Sequence, residues 1–143
     1  MKAPGVIVNV LRKNIDGIEC LYLKRSAGSF QGEWWPVAGS CKEFESSVDT
    51  ALRELEEETG LKPEKLYALG IDHYQFHSGP KLTAFVAFVS PVDKVYLNEE
   101  HSDYCWLSIA DVYQVVPESV HRIIHYIETE FINRKTNQLD LLK

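Results

Sequence analysis

The sequence predicts an α/β fold in which a mixed β-sheet lies between helices, and three observations lead to this class. Two runs, 5–12 and 82–89, are apolar and rich in strand-forming residues, as buried strands are. Two other segments, 46–60 and 117–131, repeat apolar residues at the three- and four-residue spacing of amphipathic helices. The strand and helix patterns interleave without a strict βαβ repeat, which favours a mixed sheet.

Length and composition indicate a single domain that covers residues 1–143. A chain of 143 residues buries a substantial core without disulfide or metal staples. Its content of 45% hydrophobic and 25% charged residues is ordinary for a globular protein. No internal repeat, linker or low-complexity segment divides the sequence.

The N-terminal region has the pattern of a β-hairpin. Residues 5–12 are β-branched and apolar, and the turn-forming sequence Asn14-Ile15-Asp16-Gly17 follows them. The next segment, 19–25, alternates in character and places Leu21 and Leu23 on one face of a second strand. We therefore expect two paired strands joined by a tight turn.

The helix predicted near residue 50 has clear signals at both ends. Ser46, with Asp49 three residues later, predicts the N-terminal cap. Gly60 predicts a left-handed residue that ends the helix, and Pro63 prevents it from restarting. The apolar stripe between these signals consists of Val48, Ala51, Leu52 and Leu55.

Three glutamates of this helix, Glu54, Glu57 and Glu58, fall on one arc away from the apolar stripe. Like charges at this spacing repel one another, and the C-terminal end of the helix dipole also disfavours anions. A divalent cation between the carboxylates would offset this repulsion, and Mg²⁺ is typically held by a few carboxylates together with substrate phosphates. The alternative is a solvated acidic face that binds nothing.

The segment after this helix alternates between strand and turn patterns. Residues 66–76 predict a strand that is interrupted at Gly70, and Ser78-Gly79-Pro80 predicts a turn. The apolar run 82–89 follows directly. Because it is apolar on both faces, it predicts a central strand of the sheet.

The C-terminal third predicts a short strand and two helices. Residues 104–107 suit a strand that leads into a helix over 108–115, with Ser108 as its N-cap and Asp111 three residues later. Pro117 marks the first turn of a closing helix, and the tail from Arg134 onward is polar and expected to fray. The apolar face of the closing helix consists of Val120, Ile123, Ile124, Ile127 and Phe131.

Charge and cysteine content exclude several classes of protein. The net charge of −6 and the pI near 5.3 argue against a nonspecific nucleic-acid or membrane-surface binder. Cys20, Cys41 and Cys105 are odd in number and form no Cys-x-x-Cys pair, so neither a disulfide framework nor a zinc site is predicted. Reduced thiols and the lack of a signal or transmembrane pattern predict a cytoplasmic protein without a membrane or stable nucleic-acid partner.

The whole stretch from Gly39 to Leu61 resembles the signature of the Nudix hydrolases, which cleave a nucleoside diphosphate linked to another moiety. A chance match at seven fixed positions has a probability on the order of 10⁻⁸ per start point, so coincidence is excluded. One mild departure is Ala38, since many members have glycine before the first fixed glycine. The fixed positions are Gly39, Glu45, Arg53, Glu54, Glu57, Glu58 and Gly60, with Leu55 and Leu61 at the aliphatic sites.

The resemblance implies an α/β/α sandwich and a Mg²⁺-dependent hydrolysis at phosphorus, with Mn²⁺ as a substitute for Mg²⁺. It implies that the metal ligands are Glu54, Glu57, Glu58 and the main-chain carbonyl of Gly39. Arg53 is expected to hold the carboxylates through charge-assisted hydrogen bonds. Glu45 is expected to be structural by analogy.

A second resemblance covers residues 100–107, where the pattern is Glu-His-any-any-Tyr-any-Trp-Leu. It is similar to a region of two Nudix branches, the dihydroneopterin triphosphate and dATP pyrophosphatases and the diadenosine polyphosphate hydrolases. The resemblance implies that Glu100 approaches the metal cluster, with Glu99 as the near alternative. The general base stays open between Glu54 and Glu100.

Substrate contacts are expected at the end of the second strand and before the signature. In similar proteins a basic residue at this strand end contacts phosphate, which points to Lys24 or Arg25; a solvated pair of surface charges is the alternative. Trp34 and Trp35 are adjacent, so in an extended segment they point to opposite sides. One is expected in the core and the other at the pocket mouth, where it could stack on a base or pterin ring.

The function that these observations predict is a pyrophosphohydrolase for a small-molecule nucleotide or polyphosphate. The preferred reaction converts a triphosphate of the dATP or dihydroneopterin type to a monophosphate and pyrophosphate. Diadenosine polyphosphate hydrolysis is the second possibility, and a catalytically silent nucleotide sensor is the third. We expect a monomer or a homodimer.

Overall fold

The computed structural model describes residues 5–28, 30–69, 74–75 and 81–132. Its eight strands are β1 (Gly5–Asn14), β2 (Gly17–Arg25), β3 (Trp34–Trp35), β4 (Val37–Ser40), β5 (Lys65–Ala68), β6 (Tyr74–Gln75), β7 (Lys81–Val89) and β8 (His101–Ser108). Its α-helices are α1 (Ser47–Thr59), α2 (Ile109–Val115) and α3 (His121–Ile127). A 3₁₀ turn (Glu118–Val120) precedes α3, and a π-helical turn (Glu128–Ile132) follows it.

Strand β1 organises a single mixed sheet. It runs parallel to β7, with Gly5 opposite Leu82 and Arg12 opposite Val89. Its second half pairs antiparallel with β2 and its first half with β4. Strand β2 also pairs with β8, and β7 with β5 and β6. The predicted mixed sheet, the N-terminal hairpin and the central strand at 82–89 are confirmed.

Helices cover both faces of the sheet and create two hydrophobic cores. On one face α1 packs Ala51 and Leu55 against residues such as Val8 and Phe85. On the other face α2 and α3 pack against the opposite sides of the same strands. The buried residues of this second core include Ile7, Leu11, Tyr22, Val112, Ile123, Ile124 and Ile127. This is the predicted α/β/α sandwich.

Helix α1 begins and ends where the sequence predicts. The Ser46 hydroxyl accepts a hydrogen bond from the backbone N–H of Asp49 at 3.1 Å, which caps the first turn. Gly60 ends the helix with φ +74°, and its N–H donates to the carbonyl of Glu56 at 2.8 Å. These two caps set the register of α1 and hence the direction of its glutamates.

Two predicted elements differ from those observed. Within the segment 66–76, where a strand was expected, β5 ends at Ala68 and β6 contains only two residues. Strand β8 begins at His101, three residues earlier than expected, because its pairing with β2 extends to Arg25. The predicted break at Gly70, the turn at 78–80 and the tail from Arg134 lie outside the described residues.

The C-terminal helices also depart from their predicted caps and continuity. Ser108 occupies the N-cap position of α2, but its hydroxyl donates to the Asp111 carboxylate at 3.0 Å and caps no backbone group. The closing helix is divided into a 3₁₀, an α and a π segment, with Pro117 at ψ 150° before the first of them. Its buried face nevertheless contains Val120 and Ile123, as predicted.

The three cysteines are free thiols, as expected, with Cys20 buried and the other two partly buried. Burial raises the pKa of Cys20 to about 12, so this thiol stays neutral at physiological pH. Within the described parts of the chain, no helix has the length and apolar character needed to cross a membrane.

Candidate active site

A cavity of about 720 Å³ opens where the N-terminal end of β1, strand β4 and helix α1 meet. Its wall combines backbone from two glycine-containing strands with charged side chains from four other segments. Leu82 of β7 adds one apolar contact. The charged residues of the wall are Arg25, Lys42, Arg53, Glu54 and Glu100, and the glycines are Gly5 and Gly39.

Arg53 is the centre of the ionic network beside this cavity. Its Nε and Nη2 donate to the two oxygens of Glu45 at 2.7 and 2.8 Å. Its Nη1 donates to Glu54 at 2.6 Å and to Glu57 at 3.2 Å. A further bond of 2.9 Å reaches the carbonyl of Ser40. The geometry supports the predicted role of Arg53 in holding the carboxylates, since a charged fork of this kind restricts each partner.

Glu45 connects this network to the loop before α1. Its carboxylate accepts bonds from the Lys42 N–H at 3.0 Å and from the Thr50 hydroxyl at 2.8 Å. The hydrogen bonds from Arg53 and then from Lys42 hold the pKa of Glu45 far below its usual range. Glu45 therefore orients Arg53 and the loop, and it is absent from the residues that line the cavity.

Gly39 allows the carboxylate of Glu54 to approach the sheet. A Cβ atom built on Gly39 would lie 1.5 Å from Oε2 of Glu54, so no other residue fits without displacing that carboxylate. Gly5 on β1 is similarly close, because its Cβ would lie 2.5 Å from the Gly39 carbonyl oxygen. The missing side chains of the two glycines thus let the Glu54 carboxylate approach β4 and the Gly39 carbonyl approach β1.

The acidic arc of α1 is directed differently from the prediction. Glu54 and Glu58 are buried, with 8% and 1% of their surface exposed, whereas the arc was expected to face away from the apolar stripe. Glu57 has a side chain that is 47% exposed and contacts Arg53. The reason is that β4 packs against this helix and His101, at the start of β8, faces Glu58, so two of the three glutamates point into the protein.

Burial is the main cause of the unusual titration of the inner pair. Desolvation raises the pKa of Glu54, and Arg53 opposes this shift. Desolvation also raises the pKa of Glu58, and the neighbouring Glu54 carboxyl adds to the increase. Two adjacent buried carboxyl groups that cannot both ionise easily are a site at which a cation would be strongly favoured.

Glu58 and His101 are two buried polar residues with side-chain atoms that have no hydrogen-bond partner among the described residues. Neither Glu58 oxygen has a hydrogen-bond partner among these residues, and the same holds for Nδ1 of His101. The Nε2 atom of His101 lies 3.7 Å from Oε1 of Glu58, and both side chains are 1% exposed. Burial lowers the pKa of His101, so its ring is neutral at physiological pH.

Sequence reasoning missed the contributions of Gly5 and His101. Gly5 begins a strand, and nothing in a single sequence indicates that its missing side chain makes room for the Gly39 carbonyl. His101 falls inside the pattern that singled out Glu100, and this adjacency was the available signal. Both residues act through contacts with segments far away in the sequence.

Glu100 and its neighbour Glu99 are placed differently. Glu100 lines the cavity and is near enough to Glu58 to raise its pKa. Its Oε2 accepts a bond from the Asn98 amide at 3.1 Å. Glu99 is exposed, is not part of the cavity wall, and contributes its backbone carbonyl to a 2.8 Å bond from the Ser26 hydroxyl. This placement favours Glu100 over Glu99 as the acidic residue from outside the signature.

The residues predicted to contact substrate also differ in whether they line the cavity. Arg25 lines the cavity, whereas Lys24 pairs across the sheet with Trp34 and its Nζ lies 5.9 Å from that ring. Trp35 is 4% exposed and is the core tryptophan of the pair, so its burial contradicts a role in stacking on a ligand. Trp34 is partly buried against the core that α2 and α3 cover, and it does not line the cavity.

The residues at the cavity fit a hard divalent cation. The available donors are carboxylate and carbonyl oxygens, which Mg²⁺ prefers over nitrogen or sulfur. The two Glu58 oxygens lack partners, and a buried carboxylate without partners is costly unless something positive meets it. Among the described residues, no three acidic, histidine or cysteine side chains are already gathered into a metal-binding cluster. The oxygen ligands for a divalent cation are therefore present, but they are not yet gathered around one point.

This arrangement suits a polyphosphate substrate. Acidic residues that can hold a divalent cation lie beside Arg25 and Lys42 on the same cavity wall. A phosphate chain that bridges the cation and the basic side chains would have its charge neutralised on two sides, as hydrolysis at phosphorus requires. Glu100 stands opposite α1 and supplies a carboxylate that solvent can reach.

Comparisons with known proteins agree with this site. The model of the NUDIX domain matches residues 1–127. The chain is 34% identical over 104 residues to a bis(5′-nucleosyl)-tetraphosphatase [asymmetrical] of Rattus norvegicus, covering 68% of this chain and 69% of the rat protein. The protein of the same name from Sus scrofa is 30% identical over 123 residues, covering 80% of this chain and 84% of the relative.

Solved structures give the same fold. A binary complex of a C. elegans Ap4A hydrolase matches with a TM-score of 0.73 at 22% identity, covering 89% of this chain and 96% of that one. A MutT protein from Methanosarcina mazei Go1 matches with a TM-score of 0.71 at 26% identity, covering 90% and 95%. The family model, the curated relatives and the geometry of the signature agree: the chain belongs to the Nudix family and is a hydrolase of phosphoanhydride bonds.

Proposed function

We propose that the protein is a Mg²⁺-dependent pyrophosphohydrolase whose substrate is a dinucleoside polyphosphate, cleaved asymmetrically. The observation that carries the metal-dependent chemistry is the buried pair of Glu54 and Glu58. Glu54 lies against Gly39 on the wall of the cavity that Arg25 also lines, and Glu58 lies behind that wall. Such a pair has little stabilising purpose without a cation, because burying two adjacent carboxylates is unfavourable.

The substrate class is supported by the relatives. Two mammalian proteins that are 30–34% identical to this chain are named bis(5′-nucleosyl)-tetraphosphatase [asymmetrical]. A triphosphate of the dATP or dihydroneopterin type is the second candidate. The pattern from Glu100 to Leu107 is compatible with it, because this pattern resembles both branches. The cavity has a volume of about 720 Å³ and is open to solvent, so its size does not distinguish the two candidates.

The residues that would hold the cation are Glu54, Glu57, Glu58, Glu100 and the Gly39 carbonyl. When bound, Mg²⁺ neutralises charge on the phosphate oxygens and lowers the pKa of a coordinated water. Arg53 keeps Glu54 and Glu57 in place through its hydrogen bonds.

The remaining roles fall to the charged residues of the cavity wall. Arg25 and Lys42 line the cavity, and in this proposal they bind phosphate oxygens and orient the phosphate chain for in-line attack. The water must transfer a proton to a carboxylate within hydrogen-bond reach. Glu100 suits this role better than Glu54, because Glu54 already accepts a 2.6 Å bond from Arg53.

The test is a panel of nucleotides incubated with the protein and Mg²⁺, with the products separated by chromatography. Asymmetric cleavage of diadenosine tetraphosphate gives ATP and AMP, whereas a triphosphate substrate such as dATP gives the monophosphate and pyrophosphate. We expect the dinucleotide to have the larger kcat/KM. A larger kcat/KM for dATP or dihydroneopterin triphosphate would favour the second candidate.

Two variants of the same helix make the assay specific to the site. Glu58→Gln should reduce kcat by ~10²-fold or more, because it removes a charge that acts in the transition state. Glu56→Gln is the matched control, because Glu56 is exposed and contacts only Lys62, at 3.6 Å, in the ion pairs of the described residues. Nucleotide binding without turnover in the unmodified protein would instead indicate a sensor.

A further inference from the structure

His101 is a buried polar residue that the proposed chemistry does not use. It begins β8 directly after Glu100, and its side chain is 1% exposed. Its Nδ1 atom has no hydrogen-bond partner among the described residues, and its Nε2 atom lies 3.7 Å from Oε1 of Glu58. A distance of 3.7 Å is too long for a hydrogen bond, so the histidine and the glutamate face each other without a formed bond.

Burial of this kind is costly for both residues. A buried polar group without a partner loses its hydration and receives nothing in return. Here the two residues lie on different elements, one on α1 and one on β8, and the atom that His101 turns toward the partnerless Glu58 carboxylate is Nε2. Apolar residues at both positions would avoid the penalty, so the penalty indicates that the pair serves a purpose beyond packing.

The geometry suggests what that purpose is. A carboxylate that binds a cation through one oxygen leaves its other oxygen in need of a donor. For Glu58 this second donor cannot be bulk water, because the carboxylate is 1% exposed. The Nε2 atom of His101 is within 1 Å of hydrogen-bond distance, and a small rotation of either side chain closes the gap.

We propose that His101 is a positioning residue that donates a hydrogen bond from Nε2 to Glu58 and so fixes this carboxylate for binding a divalent cation. This inference rests on the proposed function for the identity of the cation site. It adds a role for a residue outside the signature, because His101 lies at the start of β8 and approaches Glu58 of α1 from that strand. His101 touches neither the cation nor the substrate in this arrangement.

The test measures binding of Mn²⁺ alone to the purified protein, by titration calorimetry or by the EPR signal of free Mn²⁺. His101→Leu removes the donor and keeps a side chain of similar bulk, and it should raise the Kd for Mn²⁺ by ~10-fold or more. His101→Gln retains an N–H near the position of Nε2, and its Kd should stay within ~3-fold of the unmodified protein. His121→Leu is the matched control, because His121 is half-buried on α3 and contacts Val116.

Several outcomes would overturn the inference. If His101→Leu binds Mn²⁺ as well as the unmodified protein, the histidine does not support the cation site. If the Leu and Gln variants are weakened equally, side-chain shape rather than the hydrogen bond is responsible. Should the Leu variant fail to fold, His101→Asn replaces it, because the shorter amide reaches the position of Nδ1 and should bind Mn²⁺ as weakly.

A reference variant separates this inference from the proposed function. Glu58→Gln should abolish Mn²⁺ binding at the site, and if it does not, Glu58 is not a ligand and the role of His101 is overturned. If Mn²⁺ binding depends on Glu58 and His101 but no nucleotide is hydrolysed, the proposed function fails while the inference stands. With an active enzyme and saturating Mg²⁺, His101→Leu should recover most of its kcat with little change in the KM for nucleotide.

Discussion

At the scale of single residues, Gly39 has the most restricted environment in the site. Replacing it with alanine places a Cβ atom 1.5 Å from the position of Glu54 Oε2, so the carboxylate must move. We expect Gly39→Ala to lower kcat by ~10²-fold or more, since a displacement of about 1 Å in a reactive group has effects of that size. The kcat values of the two proteins are compared by steady-state kinetics with saturating Mg²⁺.

The control for the Gly39→Ala prediction is a substitution of Ala38, the preceding residue of the same strand. Ala38→Gly enlarges the space beside Gly39 without adding an atom, and we expect kcat within a few-fold of the unmodified protein. If Gly39→Ala keeps normal kcat, the contact between Gly39 and Glu54 has no role in catalysis.

Glu100 and Glu99 provide a second test at this scale. Glu100 lines the cavity and Glu99 does not. Glu100→Gln should therefore lower kcat by ~10²-fold or more with little change in KM, as expected for a group that acts in the transition state. Glu99→Gln should remain within a few-fold of normal. The reverse result would identify Glu99 as the functional neighbour, and two silent variants would place all the chemistry inside the signature.

At the scale of an element, helix α1 carries the three glutamates that are proposed as metal ligands, and its first turn is capped by Ser46. Ser46→Ala removes the 3.1 Å bond to the Asp49 N–H and should lower the free energy of unfolding by about 1 kcal/mol. For a chain of this size, that corresponds to a Tm lower by about 3 °C. Thermal unfolding followed by circular dichroism measures both quantities.

Ser47→Ala is the matched control for the cap. Ser47 is the next residue and lies inside the first turn of α1, but it does not cap it. Its replacement by alanine, a better helix former, should leave Tm unchanged or slightly higher. Equal losses in the two variants would show that the Ser46 hydroxyl does not stabilise the helix.

At the scale of the whole molecule, cation binding should be linked to stability. A cation that binds the folded protein and not the unfolded chain stabilises the fold by RT ln(1 + [Mg²⁺]/Kd), which is about 1.4 kcal/mol at ten times Kd. The proposed Mg²⁺ site predicts a gain of this size. We expect Tm to rise by a few degrees when Mg²⁺ replaces excess chelator at constant ionic strength. Differential scanning calorimetry measures the shift.

The same comparison in Glu58→Gln identifies the site responsible. The variant removes one ligand of the buried pair, so its Tm should respond little to Mg²⁺. Activity should disappear in excess chelator and return with Mg²⁺ or Mn²⁺. Full turnover in chelator, or an undiminished Tm shift in the variant, would contradict a metal site at Glu54 and Glu58.

The sequence by itself determined the elements and most of the candidate site, because their signals are local. The cap of α1 at Ser46, its end at Gly60 and the spacing of its glutamates are set by residues within one turn of each other. The alternation and apolar runs of β1, β2 and β7 likewise follow from neighbouring residues. The family signature lies within one continuous stretch, so it could be identified before any folding was considered.

Only the tertiary structure decided which side chains meet. Helical spacing put Glu54, Glu57 and Glu58 on one arc, but packing of β4 against α1, with His101 facing Glu58, determined that two of them are buried. The close contact of Gly5 with the Gly39 carbonyl and the facing of His101 toward Glu58 depend on strands that pair across long sequence separations. Such contacts leave no periodic signal in a single sequence, because each partner is set by the path of the chain through space and not by its neighbours.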